Sequence, residues 1–181
     1  MSHHIVPYKR IIVFGSTGAG KSTLVEHISR EFHLPLINMD TLSREAGKSK
    51  TPMETFALST QKSVENDSWI LDGSYAIVQD IIWPRAEAIV WLDYSVWVVT
   101  WRLIKRSLYR IFLRKKPERP SKAKPISAEK RTQTYLWSIL THNKRRQQYF
   151  AALYSSKNKH LHIIRLCNPK DTSKWLELLE N

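Results

Sequence analysis

The chain is nearly without cysteine. Cys167 stands alone among 181 residues, so no internal disulfide can form. The expected setting is a reducing compartment, the cytoplasm, with Cys167 a small apolar residue at a strand end. No signal peptide is legible at the start, and none is expected. His3, His4 and Pro7 stand at the start, and the apolar run after them is short. No apolar stretch makes a clean transmembrane span. The most hydrophobic one, Ala88 to Ile104, is interrupted by Asp93 and Arg102 and reads as a strand followed by a helix. Acidic residues are scarce: 16 Asp and Glu stand against 29 Lys and Arg, for a net charge of +13. That balance points to polyanionic partners: nucleotides, nucleic acid or an anionic membrane face. The chain has no internal repeat, no recognised DNA-reading motif and no G-x-G-x-x-G, which disfavours a dinucleotide site.

What is present starts with Gly15-Ser16-Thr17-Gly18-Ala19-Gly20-Lys21-Ser22. It fits G-x-x-x-x-G-K-[ST], the P-loop pattern that holds a nucleoside triphosphate. The context fits too. Ile11, Ile12, Val13 and Phe14 read as a buried strand, and Thr23, Leu24, Val25 and Ile28 open a helix. The loop from Gly15 to Thr23 is thus expected to turn backbone N–H groups onto ATP phosphates. Lys21 supplies a compact positive charge for the β- and γ-phosphates. The Ser22 hydroxyl suits Mg²⁺, a hard cation that takes oxygen ligands.

Further along, strands alternate with helices. The first helix is expected to end near His33, before Pro35. Leu36 to Met39 reads as a second strand ending at Asp40, and Ser43 to Lys50 as a loop. Thr51-Pro52-Met53-Glu54 predicts a capping box opening an acceptor-side helix over 51–66. Strands follow at Trp69 to Leu71 and Ile89 to Leu92, ending in Asp72 and Asp93. A long helix is expected from Val96 to Arg114. Ser127 is expected to cap another that reaches Tyr154. Leu161 to Leu166 and Thr172 to Glu180 read as the last strand and helix. The alternation predicts a parallel sheet covered on both faces in one domain, 1–181.

Ligands of such sheets sit beyond the carboxyl ends of the strands, where three aspartates fall. Asp72 is expected to hold Mg²⁺ with Ser22. Asp40 is expected to orient an acceptor hydroxyl or take its proton. Asp93 is expected to cap the long helix. Arg102, Arg106, Arg110 and Arg114 recur every four residues along that helix. Arg102 and Arg106, nearest the sheet, are expected to clamp a transferring phosphoryl group, and Arg110 and Arg114 to be solvated or bind polyanions. The basic region 102–131 reads as a lid or a linker. Asn168-Pro169 follows the last strand, where a loop packs against a nucleotide base. Trp97, Trp101, Leu108 and Phe112 beside arginines also allow an interfacial helix.

Gly15 to Ser22, Trp69-Ile70-Leu71-Asp72-Gly73, and Leu92-Asp93 followed by Arg102 and Arg106 resemble the nucleoside-monophosphate-kinase branch of P-loop kinases. More closely, the chain is similar to the adenylate-kinase-related topology modulation proteins (FlaR-like), from the P-loop through Asp40 and Asp72-Gly73-Ser74-Tyr75 to Trp137 and Ile163-Ile164-Arg165-Leu166. The resemblance implies an α/β three-layer P-loop NTPase fold with a five-stranded parallel sheet and an arginine-bearing lid. It implies ATP and Mg²⁺, with Lys21, Ser22, Asp72, Arg102 and Arg106 at the matching positions. Ser74-Tyr75-Ala76 stands where adenylate kinases carry Phe-Pro-Arg, which removes the arginine that grips an acceptor phosphate. The expected function is transfer of the ATP γ-phosphoryl group to a small acceptor. The competing expectation is a nucleic-acid-binding, DNA-topology-modulating protein that binds ATP without kinase activity.

Overall fold

The computed structural model describes residues 8–73, 75–112 and 128–180. Five strands form one parallel sheet: β1 Arg10–Gly15, β2 Leu36–Asn38, β3 Trp69–Asp72, β4 Ala88–Leu92 and β5 His162–Leu166. Their order is β2-β3-β1-β4-β5. The chain leaves β1 toward one edge, returns, and crosses to the other, so a topological switch point lies beside β1. Register brings Val13 level with Asp72, Asn38 level with Asp72, and Gly15 level with Leu92. The carboxyl ends of β1, β2 and β3 therefore open on the same side.

Why these segments are strands follows from burial. Ile11, Ile12, Val13 and Phe14 are each at most 1% exposed, so β1 is covered on both faces and alternation is lost. Ile12, Phe14, Leu71, Ile89 and Trp91 point to one face. There they meet α2 (Met39–Ala46), α3 (Pro52–Val64), the short α4 (Gln79–Ile82) and α7 (His142–Leu153). Ile11, Val13, Ile70, Val90 and Leu92 point to the other. That face is covered by α1 (Lys21–Glu31), α5 (Val96–Phe112) and α8 (Pro169–Glu180), with Tyr135 of α6 (Ala128–Leu140) packed alongside. This is the three-layer α/β arrangement of the P-loop NTPase fold.

Four details differ from the sequence expectation. The second strand stops at Asn38, and residues expected as loop form α2. The Asn38 side chain accepts a hydrogen bond from the Thr41 N–H at 2.9 Å, which caps that helix. Met39, Leu42 and Ala46 then share its buried face at helical spacing. Thr51 makes no side-chain cap on α3; Ser49 Oγ instead accepts from the Thr51 N–H and from the Thr55 hydroxyl. The expected helix to Tyr154 is two helices, α6 and α7, broken at Thr141, whose hydroxyl donates back to the Trp137 carbonyl at 2.7 Å. Asp93 does not cap α5: its carboxylate is engaged by two arginines, and Ser95 Oγ meets the Val98 N–H. The greater part of the expected basic lid, with Arg114 and the Ser127 cap, lies outside the described residues, as does Ser74. Cys167 is exposed just beyond β5.

Candidate functional site

The loop between β1 and α1 is shaped by its glycines. Gly20 stands at the N-cap of α1 with φ 100°, a left-handed conformation that side chains resist. A Cβ at Gly15 would lie 2.7 Å from the Leu92 carbonyl oxygen, so only glycine lets β1 end this close to β4. The loop then turns into the N-terminus of α1. A helix start of this kind leaves its first N–H groups without intrahelical partners and carries the positive end of the helix dipole.

Lys21 folds back over this loop. Its Nζ donates to the carbonyls of Gly15 at 3.0 Å and Ser16 at 3.2 Å. Burial pushes its pKa down, while the Asp72 and Asp40 carboxylates hold it up and the Arg145 guanidinium opposes them. Lys21 thus sits in the field of two carboxylates from β3 and α2 and one cation from α7. Asp72 is buried at the end of β3. Asp40 stands in the first turn of α2, not at a strand end, and is exposed; its Oδ1 accepts from the Tyr75 hydroxyl at 2.5 Å. Burial, and then that hydrogen bond, push the Tyr75 phenol above its usual range, so it remains a donor.

Arg102 reaches the loop from α5. Its Nη1 donates to the Ala19 carbonyl at 2.6 Å, and its guanidinium lies 5.1 Å over the Tyr94 ring. Arg106 is exposed one turn further along. Ser22 is half-buried and Thr23 exposed at the start of α1. Asn168 and Pro169 stand at the start of α8. Asn168 Oδ1 accepts from the Asp171 N–H, and the Asp171 carboxylate accepts from the Asn168 N–H and side-chain amide. This reciprocal cap starts α8 at Pro169 and occupies the Asn168 side chain.

The sequence reading missed the contribution of α7. Its inward face carries His142, Arg145, Arg146 and Tyr149 at i, i+3, i+4 and i+7. His142 Nδ1 meets Ser16 Oγ in the loop at 3.0 Å. Arg145 lies 5.1 Å over Trp137 and 5.6 Å over Tyr149, and donates to the Tyr149 hydroxyl at 2.8 Å. Arg146 and Arg165 together grip Asp93, with four contacts of 2.6 to 2.9 Å. That clamp ties α7 to β4 and β5 and so brings His142 and Arg145 to the loop. Helical spacing of polar residues on a face that must be buried was the available signal.

His142 is buried, and burial lowers its pKa from 6.5 despite the opposing Asp93 charge; Arg146 and Arg145 lower it further. The folded state therefore favours the neutral ring. The unfolded chain takes up the proton first as pH falls, so stability is full above the unfolded pKa and is lost on acidification below it. The urea midpoint should fall from about pH 7 to about pH 5. His142→Gln, which keeps an acceptor but cannot titrate, is expected to flatten this part of the profile. An unchanged slope in the variant would remove His142 as its source.

Among the described residues, no helix is long and apolar enough to cross a membrane. No family model matches the chain. A stretch of 78 residues is 31% identical to Adenylate kinase 1 of Nostoc sp., covering 43% of this chain and 39% of that protein. The match spans only about two fifths of the relative's length. At this coarse level, together with the parallel sheet and the loop after β1, the chain has an adenylate-kinase-like P-loop relationship.

Proposed function

We propose that the chain is a cytoplasmic small-molecule kinase, one P-loop domain over 1–181, that transfers the γ-phosphoryl group of Mg²⁺-ATP to a small acceptor. The observation that carries this reading is the convergence on Lys21 of Asp72, Asp40 and Arg145 from three different elements. A loop that only turned the chain would need none of these. In this reading the backbone of Gly15 to Thr23 cradles the triphosphate and Lys21 leaves its carbonyl partners for phosphate oxygens. Ser22 and Asp72 hold Mg²⁺. Arg102 and Arg106, joined by Arg145, offset charge on the transferring group, since phosphoryl transfer depends on positioning and positive charge more than on a base.

On the acceptor side, Asp40 and its Tyr75 partner face a hydroxyl of a nucleotide, a nucleoside or another hydroxyl compound. Tyr75 stands in the segment where adenylate kinases place the gripping arginine, a departure that sets this chain apart from AMP kinases. In this reading the chain groups with the topology modulation proteins of the adenylate-kinase branch. Calorimetry with Mg²⁺-ATP tests the donor half: saturable binding with Kd between about 1 μM and 1 mM is expected, and absence of heat ends the proposal. ATP consumption against nucleotides, nucleosides and sugars then identifies the acceptor.

A further inference from the structure

Helix α5 is apolar on two opposite sides. Val99 and Leu103, 1% and 2% exposed, pack toward the sheet. Trp97, Trp101, Ile104 and Leu108 follow one another at spacings of four, three and four. They therefore form one stripe along the helix. That stripe is turned away from the sheet: the two tryptophans are 80% and 66% exposed, and Ile104 and Leu108 46% and 47%. Single exposed apolar side chains are ordinary, but four in register on one helix face are the mark of a surface that is covered in use. Lys105 lies on the flank of the stripe, exposed, with Tyr109 beyond it.

Three occupants are conceivable, and charge and composition separate them. The chain between α5 and α6 offers Leu113, Ala123 and Ile126 as its apolar side chains apart from prolines, against six Lys and Arg, and so supplies little to cover two tryptophans. A second copy would bring a second net charge of +13 against the first. An anionic lipid surface matches both features. Tryptophan favours the boundary between headgroups and acyl chains, and lysine reaches from there to phosphate while its stem stays in apolar surroundings. We propose that the outward face of α5 docks on an anionic membrane surface, with Trp97 and Trp101 seated at headgroup level. The docking is independent of the phosphotransfer chemistry proposed above.

The test uses the full chain with two vesicle preparations, phosphatidylcholine alone and phosphatidylcholine mixed with phosphatidylglycerol. Co-sedimentation is expected with the anionic vesicles, weakened by salt, with tryptophan emission moving to shorter wavelength. The double variant Trp97→Ser/Trp101→Ser should bind these vesicles at least about tenfold more weakly. Its melting temperature should stay that of the parent, since both side chains are exposed. Ile104→Ser/Leu108→Ser gives an independent second reading of the same stripe. Failure to bind either vesicle overturns the proposal. So does binding by both double variants as tight as that of the parent, which would mark charge attraction alone. A dimer in sedimentation velocity that the Trp97→Ser/Trp101→Ser change disperses would overturn it in favour of a second copy.

Discussion

Lys21→Ala is expected to lower phosphotransfer by about 10²- to 10³-fold, the range seen when one preorganised hydrogen-bond donor is removed from a developing charge. Stability should not fall with it. The Lys21 ammonium has two carbonyl partners in the loop, and burial lowers its pKa, so the folded state carries a desolvation cost for holding it charged. Alanine removes the cost and the two hydrogen bonds together. The melting temperature is expected to stay within a few degrees of the parent or to rise. Thermal melts beside calorimetric titration with Mg²⁺-ATP read both sides. A variant that keeps full turnover would show that the phosphate cradle works without its lysine, and would remove Lys21 from its proposed role. A variant that merely unfolds would be visible in the melt. Lys21→Met, which keeps most of the stem's volume, then separates lost charge from lost packing.

The second large effect is expected at the Asp93 clamp, and it is asymmetric. The Asp93 side chain is 2% exposed, whereas those of Arg146 and Arg165 are 48% and 34% exposed. Replacing both arginines by methionine leaves a buried carboxylate without a charge partner, which costs about 3–5 kcal/mol. Replacing Asp93 by Asn leaves two guanidinium groups that can turn to water, and an amide that still accepts hydrogen bonds. The expected cost is about 2 kcal/mol. For a chain of this length that corresponds to melting temperatures lower by about 6–20 °C and about 4–8 °C respectively. Urea unfolding of both variants at one pH checks the order; equal losses would mean that the clamp is ordinary surface pairing. Both variants should also lose turnover beyond what stability explains. The clamp holds α7 against β4 and β5, and α7 delivers His142 to Ser16 and Arg145 to the field of Lys21.

Much of the frame was legible because it is local. A continuous β-branched and aromatic run between polar ends cannot be a surface helix, so Ile11 to Phe14 and Trp69 to Leu71 read as strands without ambiguity. Proline and polar residues marked where α1 and α3 begin and end. The end of α1 is sharper than its sequence signal, since His33 takes a left-handed φ of 53° just past Phe32. What escaped was decided by context. Asn38 reads equally well as the end of a strand or as a cap. It caps because the buried face of α2, Met39 and Ala46, has a sheet face to meet. Thr141 interrupts an apparently continuous helix because the next turn must aim His142 and Arg146 at the sheet edge.

The sequence by itself determined the phosphate loop, the alternation that builds a parallel sheet, and the placement of Asp72 beside that loop. These depend on residues adjacent in the chain or on strands whose pairing the buried pattern dictates. Only the tertiary structure decided that Asp93 is a clamp and not a cap, and that His142 meets Ser16 in the loop and Arg145 acts on Lys21. It also decided that Asn168 and Asp171 cap one another at the start of α8 and that Trp97 and Trp101 face outward. The physical reason is distance along the chain. Ser16 and His142 are 126 residues apart, and Asp93 and Arg165 are 72 apart. An ion pair or hydrogen bond between such residues depends on where the crossovers of a parallel sheet deliver each side chain, and no local pattern encodes that.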